Sequence, residues 1–282
     1  MDNLIKKNIK SIKNLIKIGL KEDFNDVGDI TSSAIFSSEK GKCQIFAKQE
    51  GVLAGIDVAE LVFSIVDKKI LFIKHKLDSD KIYKNDLIAS IEGNVKSLLK
   101  AERTALNFLG YLSGIATKTA EFVEISEGRI KILDTRKILA GYRVLAKYAV
   151  RCGGGINHRF GLYDMVMIKD NHIDAAGGIT NAVNKVRLKY GKKYKIEVET
   201  RNINEVKEAL ILNVDRIMLD NMDLDQIKEA LKIIDNRIET EVSGNIDKDK
   251  LLKLKDYMPT YVSIGSLTHS VKSFDFSMKY LK

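Results

Sequence analysis

Ile196-Glu197-Val198 before Glu199, Arg216-Ile217-Met218-Leu219 before Asp220, Glu239-Thr240-Glu241-Val242 before Ser243, and Tyr261-Val262-Ser263-Ile264 before Gly265 decide the architecture of this chain. Each is a short strand-like run that stops at a polar residue or a glycine and is followed by a helical pattern. Their ends lie about twenty-two residues apart, the length of one strand, one helix and two short loops. Two earlier runs have the same form: Ile130-Lys131-Ile132-Leu133 before Asp134, and Met165-Val166-Met167-Ile168 before Lys169. Repeated βα units predict a parallel sheet, either open or closed into a barrel. In a β/α barrel the loops after the strands converge on one mouth, and chemistry gathers there.

Upstream the texture differs. Cys43 to Leu53, Ile70 to Ile73 and Asp86 to Ile91 read as strands, and Val58 to Val66 as a helix. A long helical pattern then runs from Lys96 through Ala101, Leu106, Leu109, Leu112 and Ile115 to Val123. An α+β layer with a long exit helix is the expectation for this part, with the division near residue 108. The first twenty residues place Leu4, Ile5, Ile9, Ile12, Leu15 and Ile16 among five lysines at helical period. That is unlike the continuous apolar core of a signal peptide; it fits a first helix packed on its own domain, or less readily a surface-lying one.

Composition narrows the classes. The chain has 282 residues, 45% hydrophobic and 30% charged, which excludes a disordered chain and suffices for a sizeable core. Its single proline, Pro259, excludes a Pro-rich linker, and no run of about 18 uncharged apolar residues predicts a membrane span. Cys43 and Cys152 form no C-x-x-C pair, which argues against a disulfide scaffold or a multi-cysteine zinc site and fits a reducing cytoplasm. The net charge of +9 suits nucleic acid, anionic lipid or small polyanionic substrates. Its lysines are scattered, without the clustered stripe and interleaved aromatics of nucleic-acid binders, so a basic nucleic-acid-binding protein stands only as the alternative from a different class.

The strand exits carry unusual residues. Turn formers would be ordinary there, and Asp220 and Gly265 fit that pattern; Lys169 and Glu199 do not. Leu133-Asp134-Thr135-Arg136-Lys137, Arg151-Cys152-Gly153-Gly154-Gly155-Ile156-Asn157-His158-Arg159 and Lys169-Asp170-Asn171-His172 together predict a cationic bowl for carboxylates and phosphates. Glu199 and Asp220 on neighbouring strands suit Mg²⁺ that also holds phosphates or ribose hydroxyls; they equally suit a role as internal partners of Lys169 and Arg159, and the two roles are compatible. Ser243-Gly244 and Gly265-Ser266 either offer amides to a phosphate or cap helices. The triple glycine lacks the spacing of a P-loop or a dinucleotide fingerprint. Cys152 near His158 has no third orienting group and reads as a packed thiol rather than a nucleophile.

In these residues the chain resembles the quinolinate phosphoribosyltransferase family (nicotinate-nucleotide pyrophosphorylase, carboxylating). The resemblance rests on Glu22-Asp23, Gly28-Asp29-Ile30-Thr31, Glu102-Arg103-Thr104-Ala105-Leu106-Asn107 and Leu112-Ser113-Gly114-Ile115-Ala116-Thr117. It continues through Arg151 to His172, including Gly161-Leu162-Tyr163-Asp164. Glu197-Val198-Glu199, Leu219-Asp220-Asn221, Ser243-Gly244 and Gly265-Ser266-Leu267-Thr268-His269 complete it. A related barrel protein associated with molybdenum transport shares the Asp-Thr-Arg-Lys and Gly-Gly-Gly motifs. It carries a serine-glutamate pair where this chain has Tyr163-Asp164 and lacks Lys-Asp-Asn-His, so the chain sides with the quinolinate enzyme.

The resemblance implies an α/β fold: an N-terminal α/β-sandwich domain over residues 1–108, with a C-terminal helix over 270–282 packing back on it, and an incomplete β/α barrel over 109–269. It implies transfer of phosphoribosyl from phosphoribosyl pyrophosphate to quinolinate with decarboxylation, Mg²⁺ as cofactor, and a homodimer or hexamer in the cytoplasm. No nucleic acid or membrane partner is implied. Arg103, Thr135, Arg136, Lys137, His158, Arg159 and Lys169 would surround the substrates, with Arg103 reaching into the neighbouring subunit's site. Glu199 and Asp220 would serve Mg²⁺ and the ribose hydroxyls. Ser243, Gly244, Asn245, Ile264, Gly265, Ser266 and His269 would hold the phosphate end. Catalysis would fall to Lys137, Lys169, Glu199 and Asp220, with no single catalytic base. Two departures stand out: Asn245 where the family has a second glycine, and Ile138-Leu139-Ala140 where it has Thr-Thr-Pro. Asparagine tolerates positive φ better than most residues, so the first is expected to be accommodated.

Overall fold

A computed structural model describes residues 1–281. The chain opens with α1 (Asn3–Lys7), α2 (Ile9–Phe24) and α3 (Ile30–Ile35), then β1 (Lys40–Ala47), β2 (Gly51–Val52) and α4 (Ile56–Val66). There follow β3 (Leu71–Lys74), β4 (Lys81–Ile82), β5 (Leu87–Asn94) and the long α5 (Val95–Ser126). Next come β6 (Lys131–Leu133), α6 (Arg143–Cys152), β7 (Val166–Ile168), α7 (Asp170–Ala176), α8 (Ile179–Tyr190) and β8 (Ile196–Thr200). The remainder is α9 (Ile203–Ile211), β9 (Arg216–Asp220), α10 (Leu224–Ile234), β10 (Glu239–Ser243), α11 (Lys248–Leu254), β11 (Tyr261–Ser263), α12 (Ser266–His269) and β12 (Phe276–Leu281).

Two compact units result. The first takes residues 1–120, 138–154 and 267 onward; the second takes 121–137 and 155–266. The division expected at 108/109 therefore falls inside α5, a continuous helix of 32 residues with no linker to mark a boundary.

In the first unit a sheet of order β12-β1-β5-β3 packs with helices around one apolar core. α2 buries Ile12, Ile16 and Leu20 at four-residue spacing and leaves its lysines outside, so the N-terminal apolar stripe is used internally rather than left for a membrane. α5 buries Leu98, Ala101, Ala105, Leu109, Leu112 and Ala116 in the same way. The C-terminal segment does not form the expected helix. It becomes β12, antiparallel to β1 from Lys42↔Leu281 to Ala47↔Phe276. The reason is local: Phe276 is buried and Met278 packs against the same core, and the strand covers an otherwise open edge of β1. Just before it, Phe274 donates its N–H to the Gly110 carbonyl (2.9 Å), where a Cβ on Gly110 would lie 2.7 Å from the Phe274 oxygen.

The second unit is built on six parallel strands in the order β6-β11-β10-β9-β8-β7, with no ladder joining β6 to β7 among the described residues. This is the incomplete barrel. Its strands alternate sharply. Ile196, Val198, Ile217, Leu219, Val242 and Val262 form one buried apolar face, which meets the apolar sides of helices such as α9 and α10. The other face carries Glu197, Glu199, Arg216, Asp220, Glu239, Glu241 and Ser243, aligned by the register Glu197↔Arg216 and Ser243↔Asp220. A barrel interior is ordinarily filled by branched aliphatic residues. Here it is charged.

Candidate active site

The β6 exit is organised by Asp134. Its buried carboxylate accepts the Asn157 side-chain amide (2.6 Å) and the His158 backbone N–H (2.9 Å), tying the irregular 155–159 segment to the end of β6. Ile156 adds a parallel bridge to Leu133. Two residues on, Thr135 Oγ1 accepts the Lys137 N–H (3.1 Å). Arg136 is half-buried, and its Nε is buried and meets no acceptor among the described residues. Arg159 is half-buried as well, donating from Nη1 to the Met165 carbonyl (3.2 Å). Burial first, and then the neighbouring Arg136 guanidinium, lower the Arg159 pKa. Two guanidinium groups close enough to repel make a site that an anion would relieve.

The segment that follows is braced by Asp164, whose carboxylate accepts the N–H groups of Phe160 (2.6 Å) and Gly161 (3.0 Å). At the β7 exit Lys169 donates from Nζ to Glu199 Oε2 (2.8 Å), and its N–H reaches His172 Nδ1 (3.0 Å). Glu199, one residue before the end of β8, is buried, and of its two expected roles the partnership with Lys169 is realised. Asp220 ends β9 half-buried; it receives the Asn221 amide on Oδ2 (2.7 Å) and has no ion pair among the described residues. Hard carboxylate oxygens on adjacent strand ends, one without a cation, are a donor set that fits Mg²⁺ retaining waters and phosphates.

The β10 exit turns sharply. Gly244 has φ +97°, and a Cβ there would lie 2.2 Å from Asn221 Oδ1. Asn245 follows at φ +50°, in the left-handed region that asparagine tolerates, so the departure from the family's second glycine is accommodated as expected. Lys250 Nζ donates to the Gly244 carbonyl (3.2 Å). At the β11 exit, the Ile264 N–H extends the ladder to the Leu133 carbonyl (3.0 Å) and leads into Gly265 and Ser266. Arg103 and His269 belong to the first unit; both are exposed, and Arg103 has no hydrogen bond or ion pair among the described residues.

His158 sits apart from the rim. It is 8% exposed, and its Nε2 lies 3.1 Å from Glu197 and 3.2 Å from Glu241, both fully buried. Arg216 approaches the same pair, with Nη1 3.1 Å from Glu241, while Nη2 meets Glu239 (3.1 Å) and the guanidinium lies 4.0 Å over the Tyr261 ring. Burial and the Glu241 charge push the Glu197 carboxyl up to about 7. Sequence reasoning missed this interior cluster. The available signal was the polar residue at every second position of β8 and β10, with Arg216 and Asp220 at the two ends of β9. Cys152, by contrast, is no nucleophile: burial pushes its thiol up to about 12.

The quinolinate phosphoribosyl transferase N-terminal domain profile matches residues 29–113, and the C-terminal domain profile matches residues 115–279. The chain belongs to the quinolinate phosphoribosyl transferase family. Among curated members of that family, it is 44% identical to a probable nicotinate-nucleotide pyrophosphorylase [carboxylating] of Bacillus subtilis, over 95% of this chain and 92% of that protein. It is 41% identical to quinolinate phosphoribosyltransferase [decarboxylating] 2b of Nicotiana tabacum, over 95% of this chain and 82% of that protein. Among solved structures, NadC from Streptococcus pyogenes superimposes with a TM-score of 0.93 at 44% identity, covering 97% of this chain and 98% of that one.

Proposed function

We propose that this protein transfers the phosphoribosyl group of phosphoribosyl pyrophosphate to quinolinate with loss of CO₂, giving nicotinate mononucleotide and pyrophosphate. The observation that carries this reading is the Arg136–Arg159 pair at the barrel mouth: two half-buried cations, one with a buried donor lacking an acceptor, arranged for a compact dianion. Quinolinate is such a dianion, with adjacent carboxylates on a pyridine ring.

Transfer builds positive charge on the ribose C1 as pyrophosphate departs, so the protein's task is alignment and electrostatic stabilisation rather than base catalysis. Lys137 and Lys169 supply cations to the leaving group, and the Glu199 contact holds the Lys169 ammonium at the β7 exit. Thr135, Arg136 and Arg159 orient quinolinate so that its nitrogen faces C1. After the bond forms, the ring nitrogen is cationic and accepts the electron density left by decarboxylation. Glu199 and Asp220 would hold Mg²⁺ and the ribose hydroxyls, and such an ion would supply positive charge to the pyrophosphate. Ser243, Gly244, Asn245, Ile264, Gly265 and Ser266 receive the 5′-phosphate.

Arg103, exposed and with no hydrogen bond or ion pair among the described residues, completes the site of a second copy, which makes the working unit a homodimer. Among the described residues no helix is long and apolar enough to cross a membrane. The free thiols of Cys43 and Cys152 support work in a reducing cytoplasm. The test is incubation of the pure protein with quinolinate, phosphoribosyl pyrophosphate and Mg²⁺, following nicotinate mononucleotide by chromatography. Product formation supports the reading; its absence with a folded protein refutes it.

A further inference from the structure

Lys250 lies outside every motif that the functional reading uses, yet its side chain reaches two of the strand exits. It sits in the first turn of α11, where its N–H donates to the capping Asp247 carboxylate (2.7 Å). Its half-buried ammonium donates to two backbone carbonyls, Gly244 at 3.2 Å and Met222 at 3.4 Å. Gly244 is the first residue after β10, and Met222 the second after β9. One cation therefore ties together the loops that follow two adjacent strands.

The need for a donor there follows from the end of the sheet. The β9–β10 register stops at Ser243↔Asp220, and the Asn221 N–H adds a last bond to the Ser243 carbonyl (3.0 Å). Beyond it Asn221 (φ +54°), Gly244 (φ +97°) and Asn245 (φ +50°) turn both segments out of the ladder. Carbonyls past that point have lost their strand partners and must find another donor. A neutral side chain could serve. Lysine adds a positive charge, and its hydrogen bonds among the described residues go to carbonyls alone, so no carboxylate neutralises it. A half-buried ammonium without a counter-ion is costly, and an anion bound nearby would offset that cost.

The held carbonyl has a geometric consequence. A trans peptide sets its C=O and N–H on opposite sides, so the bond from Lys250 to the Gly244 carbonyl turns the Asn245 N–H away from the ammonium. Among the described residues that N–H has no acceptor. We infer that Lys250 is a positioning residue for the phosphate end of phosphoribosyl pyrophosphate. It pins the Gly244–Asn245 peptide with its N–H presented to the 5′-phosphate. Through Met222 it also fixes the span from that peptide to Asp220 at the ribose. Lys250 acts through the peptide that it holds, and the inference rests on the reading of Ser243, Gly244 and Asn245 as the 5′-phosphate loop.

The comparison is between the parent, Lys250→Met and Lys253→Met, which removes the same charge from an exposed position on the same helix. Lys250→Met is expected to raise the phosphoribosyl pyrophosphate KM about tenfold or more, as for loss of a charged donor, with the quinolinate KM within about twofold and kcat within about threefold. Lys253→Met should leave both KM values at the parental level. A parental phosphoribosyl pyrophosphate KM in folded Lys250→Met overturns the proposal, as does a parallel rise in both KM values or an equal rise in Lys253→Met. The parent alone supplies a second test. With ¹⁵N-asparagine labelling, and the Asn245 amide assigned by its loss in Asn245→Gly, saturating ribose 5-phosphate should shift that signal. An unmoved amide overturns the proposal even where Lys250→Met fails to fold. Failure of the functional reading looks different: the parent would then make no nicotinate mononucleotide.

Discussion

Gly244→Ala is the substitution for which the structure gives the fullest arithmetic. The backbone there has φ +97°, beyond even the left-handed helical region, and an L-residue forced to positive φ costs about 1–2 kcal/mol. The new methyl would also lie 2.2 Å from Asn221 Oδ1 and 2.9 Å from the Asn221 backbone nitrogen. The side chain could swing aside, but its amide then leaves Asp220 Oδ2, which it now meets at 2.7 Å. The backbone contact is harder to relieve, because the Asn221 N–H is held by the Ser243 carbonyl at 3.0 Å. Strain and overlap together come to roughly 2–4 kcal/mol. That predicts a fall in Tm of roughly 5–10 °C. Since the strain falls between the β9 and β10 exits, the phosphoribosyl pyrophosphate KM should rise at least tenfold, while quinolinate affinity by calorimetry stays within twofold. Asn245→Gly is the control: Asn245 already occupies φ +50°, so glycine there should change either KM less than twofold. Parental Tm and parental KM in Gly244→Ala would refute the reasoning.

Nicotinate, lacking the second carboxylate, should leave one guanidinium of the Arg136–Arg159 pair uncompensated at about 2–5 kcal/mol, so competition assays should show at least tenfold preference for quinolinate; equal turnover contradicts this. Glu199→Gln and Asp220→Asn should each raise the Mg²⁺ concentration needed for half-maximal rate or lower the rate, with quinolinate binding nearly unchanged; parental Mg²⁺ titrations in both would make the carboxylates purely structural. Arg103→Ala and Lys169→Ala chains should each be nearly inactive, and co-expression should restore activity toward about a quarter of the parent, since about half of randomly assorted dimers carry one intact site. Activity no higher than the sum of the two variants, despite subunit exchange, would place Arg103 in its own chain's site. Finally, burial pushes the thiols of Cys43 and Cys152 up to about 11 and about 12. A raised pKa lowers the reactive thiolate at any pH below it, so at pH 8 alkylation should run about a hundredfold and a thousandfold slower than in the unfolded chain, measured by mass spectrometry.

All six strand exits of the barrel were legible in the sequence because each strand stops at a residue that its neighbours do not resemble. Lys169 and Glu199, conspicuous as turn residues, turn out to be bonded to each other. The long helix was legible too, from apolar spacing alone, but the boundary inside it was not, since a helix continues unchanged where its packing partners change. The C-terminal strand was not legible: the resemblance implied a helix there, and a six-residue strand leaves weak evidence in the sequence until the open edge of β1 is known. The His158–Glu197–Glu241–Arg216 cluster was invisible for a different reason. Alternation shows that these residues share a face, but which of them meet across non-adjacent strands is a property of the folded sheet. Asp134 is similar; nothing in Leu133-Asp134-Thr135 announces that its carboxylate will hold a segment more than twenty residues away.

The most direct test of the central claim is stoichiometry. With quinolinate labelled in the carboxyl carbon next to the ring nitrogen, phosphoribosyl pyrophosphate and Mg²⁺, the account predicts nicotinate mononucleotide, pyrophosphate and labelled CO₂ in equal amounts, all three abolished in Lys169→Ala. Pyrophosphate released without nicotinate mononucleotide, or product formed at the parental rate by that variant, would contradict it.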